Sequence, residues 1–118
     1  MKNYPNLLIS KGGGYRELPR PEVEERVTRF VRKTRACNPQ ELREPWRGLV
    51  MYTLVEYFEW EVNDAADFLG VSIKTCGKRV SEARNMYGLA TLLTKNTYNG
   101  AEFVINLRDY IYYNIYRK

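Results

Sequence analysis

Histidine is absent from this 118-residue chain, and cysteine is scarce, with two. The first absence removes the side chain that most often moves protons near neutral pH and most often ligates metals. The second leaves no disulfide framework, and Cys37 and Cys76 lack metal-ligand spacing. No metal and no cofactor are expected. Long apolar runs are missing too. Nothing approaches the roughly 18 apolar residues of a membrane span, so no membrane partner is expected. The run Leu7, Leu8, Ile9 is too short for a secretory signal. Reduced thiols without a signal point to the cytoplasm. Gly12, Gly13 and Gly14 are not followed by the Lys-Ser/Thr pair of a phosphate loop. No catalytic residues are expected. Pairs such as Glu24 and Glu25 fit a solvated helix face, Cys76 points to the core, and tyrosine chemistry on DNA needs partners that a chain this short does not supply.

What is present is apolar, aromatic and basic. Hydrophobic residues make up 44% and aromatic residues 14%, enough for one globular domain with its own core. The ten tyrosines suit half-buried positions or a partner surface. The net charge of +5 favours a polyanion as partner, nucleic acid before membrane. The charge is also segregated. Arg26, Arg29, Arg32, Lys33 and Arg35 form one acid-free run, and Lys74, Lys78, Arg79 and Arg84 form another cluster. Between them lies an acidic block of Glu56, Glu59, Glu61, Asp64 and Asp67. This pattern predicts one face for DNA and another for solvent or a partner.

The periodicity predicts an all-α helical bundle. Residues 1–20, with Pro5, Pro19 and the glycine triplet, read as a flexible arm carrying Lys2, Lys11, Arg16 and Arg20. The first helix is expected at 21–36, where Pro21 and three early glutamates suit an N-terminus and Val23, Val27, Phe30, Val31 and Thr34 share one face. A short helix follows at 39–43. The helix at 45–59 carries Trp46, Leu49, Val50, Thr53, Leu54, Tyr57 and Phe58 and is expected at the centre of the core. Helices at 63–70, 72–87 and 101–116 complete the domain, which spans 21–118. Gly88 is expected to cap the 72–87 helix, and residues 96–100 read as a turn. The last helix bears Phe103, Leu107, Tyr110, Ile111 and Ile115, a stripe that must be covered. It either folds back on 21–36 or forms a homodimer contact that matches two DNA half-sites.

The stretch from Asn63 to Val80 has the form of a helix-turn-helix, with the motif running over 63–86. Asn63 can cap its first helix. Ala66 is small where two helices cross. Gly70 permits a left-handed turn, and Ser72 can cap the second helix. Val71, Cys76, Val80 and Ala83 face inward, leaving Ile73, Lys74, Gly77, Lys78 and Ser81 outward. A recognition helix enters the major groove with its N-terminal residues at base edges. Lys74 can donate to guanine or meet a phosphate, Thr75 can meet a phosphate oxygen, and Ile73 can pack on a thymine methyl. Gly77 lets the helix sit close to the duplex. Lys78, Arg79 and Arg84 fit phosphate contacts, which give affinity without sequence information.

Over residues 23–87 the chain resembles the C-terminal DNA-binding domain of the bacterial replication initiator DnaA. The resemblance lies in an amphipathic helix, a long helix at Arg47-Gly48-Leu49-Val50-Met51-Tyr52-Thr53-Leu54, and a motif helix at Val62–Leu69. It implies that Arg47 and Thr75 contact DNA. The family's Asp-His-Thr-Thr-Val signature is here Ser72-Ile73-Lys74-Thr75-Cys76, with one identity, so the family's recognition sequence does not carry over. The expectation is a double-stranded-DNA-binding protein, a regulator of replication or transcription of bacterial, phage or mobile-element type. A phage assembly protein of small-terminase type, or a helical adaptor for a protein partner, is the alternative.

Overall fold

The computed structural model describes residues 18–86 and 98–113. The described residues form five α-helices and one 3-10 turn, with no strand, so the chain is an all-α helical bundle. Helix α1 spans Arg20–Arg35 and is followed by the 3-10 turn Pro39–Glu41. Helices α2 (Trp46–Tyr57), α3 (Val62–Leu69), α4 (Ile73–Met86) and α5 (Tyr98–Tyr113) complete the order.

Helix α2 is the axis of the bundle. Gly48 to Leu54 are all buried, so it has no solvated stripe. A helix apolar on every side is stable in water only when neighbours enclose it. Helices α3, α4 and α5 each pack against it, while α1 packs on α5. The burial extends further round than the stripe read from the sequence, taking in Met51 and Tyr52. Tyr52 and Tyr57 meet edge to face. Burial pushes the Tyr52 hydroxyl up to about 12, and that of Tyr57 also upward. Phenols held neutral in this way act as core packing.

Helix α1 begins one residue before the expected start. Val23, Val27, Phe30 and Val31 are buried, and Arg26 and Arg29 pair one turn back with Glu22 and Glu25. The α1 end lacks glycine, and Ala36 takes the left-handed conformation there, at φ 59°. Arg20, expected in a flexible arm, belongs to α1. It pairs with Glu24, Asp64 and Asp67 at 2.7, 3.0 and 3.3 Å and lies over the Trp60 ring. The contact with Glu24 leads those that raise its pKa. Leu18 packs against the core. Residues 1–17, which hold the rest of the expected arm, lie outside the described residues.

The described part of the C-terminal stripe on helix α5 is covered by the chain's own helices. Val104, Leu107 and Ile111 are fully buried. Phe103 packs on Phe30 and Trp46, and Tyr110 on Phe30. Arg26 of α1 donates to the carbonyl of Ile111, and a hydrogen bond from Arg29 to Tyr110 leads the contacts that raise the arginine's pKa. The stripe is therefore covered within one chain, and this part of it is not left over for a homodimer. Ile115 lies outside the described residues, as do Gly88 and the first half of the expected 96–100 turn. Its second half is helical from Tyr98. The Asn-Gly pair there favours a turn locally, and burial against the core overrides that preference. Among the described residues no helix is long and apolar enough to cross a membrane.

Because α5 closes one side of α2, a chain lacking residues 97–118 is expected to lose cooperative unfolding at every protein concentration. Urea titration followed by circular dichroism tests this; a truncated chain that keeps a sharp transition would contradict it.

Candidate nucleic-acid interface

The α3–turn–α4 unit is built by short-range signals. Helix α3 starts after Glu61, so Asn63 falls inside its first turn and does not cap it. Ala65, Ala66 and Leu69 are buried where α3 meets its neighbours. Gly70 closes α3 at φ 73°, in the left-handed region that residues with a Cβ avoid. Its N–H and that of Val71 reach back to the carbonyls of Asp67 and Ala66. Ser72 then caps α4: its Oγ accepts from the Thr75 N–H at 3.0 Å and donates to the Thr75 Oγ1 at 2.9 Å. The cap satisfies one of the free N–H groups at the positive end of the helix.

The inner and outer faces of α4 divide as the spacing predicts. Cys76, Val80 and Ala83 are buried and Val71 is half-buried. Burial raises the Cys76 thiol above its ordinary value, so this cysteine is inert packing. Lys74, Lys78 and Ser81 are exposed, Ile73 is 55% exposed, and Thr75 and Gly77 are partly covered. Lys74 and Lys78 have no carboxylate within ion-pair distance among the described residues.

The two glycines near this face have opposite surroundings. A Cβ on Gly48 would meet Glu44 Oε1 at 3.0 Å and the Arg79 Cβ at 3.4 Å, so the approach of α2 and α4 leaves a side chain there little room. A Cβ on Gly77 would meet nothing within 4 Å. Packing among the described residues gives no reason for the missing side chain at 77.

The remaining site residues are engaged inside the protein to different degrees. Arg79 turns toward α2 and pairs with Glu44 at 3.6 Å and Glu82 at 3.1 Å, and its Nε is buried. Arg84 forks onto Glu56 Oε1 at 2.7 and 3.0 Å. Both bridge α4 to α2 or its lead-in, so each meets a carboxylate of its own chain where a phosphate contact was expected. Arg47, in the first turn of α2, is half-buried and lies 3.4 Å from Glu44. The Glu44 carboxylate also accepts from the Gly48 N–H at 3.1 Å, and so ties the start of α2 to Arg79 of α4. The acidic block is likewise not a free face: Glu56 is held by Arg84, and Asp64 and Asp67 by Arg20. Glu59 and Glu61 of that block are exposed and, among the described residues, unpaired.

Sequence reasoning missed Arg43. It is exposed and, among the described residues, without an ion pair, in the loop whose next residue, Glu44, reaches α4. A lone arginine between helices has no periodicity to mark it; its neighbourhood emerges only when the α2 lead-in packs on α4. Among the described residues no group of three or more histidine, cysteine or acidic side chains is arranged to hold a metal. Comparison of the chain with protein families, with curated proteins and with solved structures returns no match.

Two substitutions at this face should move stability in opposite directions. Ser72→Ala removes the cap and should cost about 1 kcal/mol. Gly77→Ala should add about 0.5–1 kcal/mol, since it relieves backbone entropy without a clash. Urea unfolding of both variants checks the signs; a destabilised Gly77→Ala would mean that the open space is filled. In native protein, iodoacetamide should modify half-buried Cys37 well before Cys76, as read by mass spectrometry. Equal rates would contradict the inward placement of Cys76.

Proposed function

We propose that this chain is a double-stranded-DNA-binding protein that inserts the N-terminal half of α4 into the major groove. The observation that carries the reading is the unengaged outer surface of that helix. Lys74 and Lys78 are exposed and, among the described residues, unpaired, and between them Gly77 lacks a side chain for no reason that the described residues supply. Close approach of a partner to the helix backbone gives that glycine a role. The positive helix end, capped by Ser72, adds a site for a phosphate. Several other arginines of the chain are held by carboxylates, and the exposed cations without one among the described residues lie here, at Arg43 and at Arg32, Lys33 and Arg35 of α1.

In this reading Lys74 faces base edges, and Thr75, Lys78 and Ser81 sit along the groove. Arg43 and Arg47 flank the helix from the α2 side and meet the phosphate backbone. Arg79 and Arg84 hold α4 against α2 and contribute to DNA chiefly through their field. The chain is a divergent relative of the DnaA DNA-binding domain, acting in the cytoplasm as a replication or transcription regulator of bacterial, phage or mobile-element type. No catalytic step is assigned to it. A dimer through α5 forms no part of the proposal, because α1 and α2 already cover most of its apolar stripe.

Titration of a labelled duplex at several salt concentrations tests the proposal. About four phosphate contacts predict a log–log slope of about −3.6, at about −0.9 per contact. Lys78→Ala should weaken preferred and random duplexes alike and reduce the slope by about 1. Lys74→Ala should cost about 1–3 kcal/mol more on a preferred site than on random DNA. Absence of duplex binding at low salt would overturn the proposal, and equal losses for Lys74→Ala would reduce that lysine to a phosphate contact.

A further inference from the structure

We infer that Ile73 reads the 5-methyl group of a thymine in the major groove, with Gly77 leaving the helix backbone open to the duplex one turn further on. The inference rests on the DNA-binding reading above and names what that site selects.

A single exposed apolar residue is ordinary on a protein surface. The position of Ile73 makes it informative. It is the first residue of α4, directly after the Ser72 cap, and is 55% exposed. Of the large hydrophobic side chains among the described residues, only Met86 and Tyr113 share such exposure, and both lie near helix C-termini. A β-branched side chain is a mediocre choice for a solvated helix position. It also gives nothing to a phosphate, in a region where the neighbouring Lys74 and Lys78 provide the charge.

The major groove narrows what such a side chain can recognise. Its floor presents hydrogen-bonding groups at every base pair and one distinctive apolar group, the thymine methyl. Isoleucine neither donates nor accepts a hydrogen bond, so the contact left to it is that methyl. Recognition helices present their N-terminal residues to the bases, which is where Ile73 lies. Gly77 follows four residues later on the same face, with nothing among the described residues within 4 Å of its missing Cβ. A side chain there would hold the helix away and lift Ile73 from the base. The same geometry makes 5-methylcytosine a partial substitute, because its methyl occupies the equivalent groove position.

The test begins with a preferred site selected from random duplexes with the full chain. Each thymine in turn is then replaced by uracil, which removes the methyl and keeps the pairing. Binding by the unaltered protein should fall about fourfold at one or two positions, the change that corresponds to losing one buried methyl-sized group. In Ile73→Ala, an exposed change expected to leave the fold intact, the same replacement should have no effect. At the sensitive position 5-methylcytosine should bind more tightly than cytosine with Ile73 and equally with Ile73→Ala. Uracil replacement without effect at every position, an equal loss in Ile73→Ala, or a selected site lacking thymine would each overturn the inference while leaving DNA binding in place. Failure to bind any duplex at low salt would instead remove the underlying reading, and the inference with it.

Discussion

Everything in this bundle depends on enclosing α2. Its residues from Gly48 to Leu54 present no polar face to water, so the helix is stable only inside a ring of neighbours. That requirement places α3, α4 and α5 around it and brings α1 onto α5. It also sets the orientation of α4. With Cys76, Val80 and Ala83 turned to the core, the lysines at 74 and 78 must point outward. The functional surface is the complement of the packing surface, and both follow from the same helical period.

The arginines and lysines divide the work. An arginine can hold a carboxylate with several donors at once, and the chain uses this to join elements distant in sequence. Arg20 gathers two aspartates of α3, Arg84 takes Glu56 of α2, and Arg79 meets Glu44 at the entrance to α2. Arg35 lies over Trp46, with its guanidinium carbon 4.0 Å from the ring centroid. Arg108 and Asp109 form an ion pair buried beside Tyr57. Exposed pairs of this kind contribute little to stability individually. Their larger effect is on where the remaining positive charge is found, which is the outer face of α4, the loop at Arg43 and the C-terminal end of α1 at Arg32, Lys33 and Arg35.

The helices were legible because their signals are local. Pro21 and the valine spacing mark α1, and Gly70 with Ser72 marks the turn between α3 and α4. The inward set of α4 also follows from period alone. What was not legible depends on tertiary proximity. Two of the three carboxylate partners of Arg20 lie 44 and 47 residues away, and that of Arg84 lies 28 away. No pattern in the sequence separates these arginines from free ones, so Arg79 and Arg84 read as equals of Lys78. The missing signals have the same origin at Asn63, which is a good cap by type but sits two residues too late once Glu61 caps the helix. Ala36 shows the reverse, a left-handed end made without the glycine that would announce it.

The central claim is that the outer N-terminal face of α4, with the adjoining α2 lead-in, is where DNA meets this protein. Its most direct measurement is an amide chemical-shift map recorded while a duplex is added to isotope-labelled protein. The account predicts changes concentrated at residues 72–81 and 43–47, with the exposed acids Glu59 and Glu61 and the buried core of α5 little affected. Changes centred on the acidic segment or on the outer face of α1, with residues 72–81 undisturbed, would contradict it.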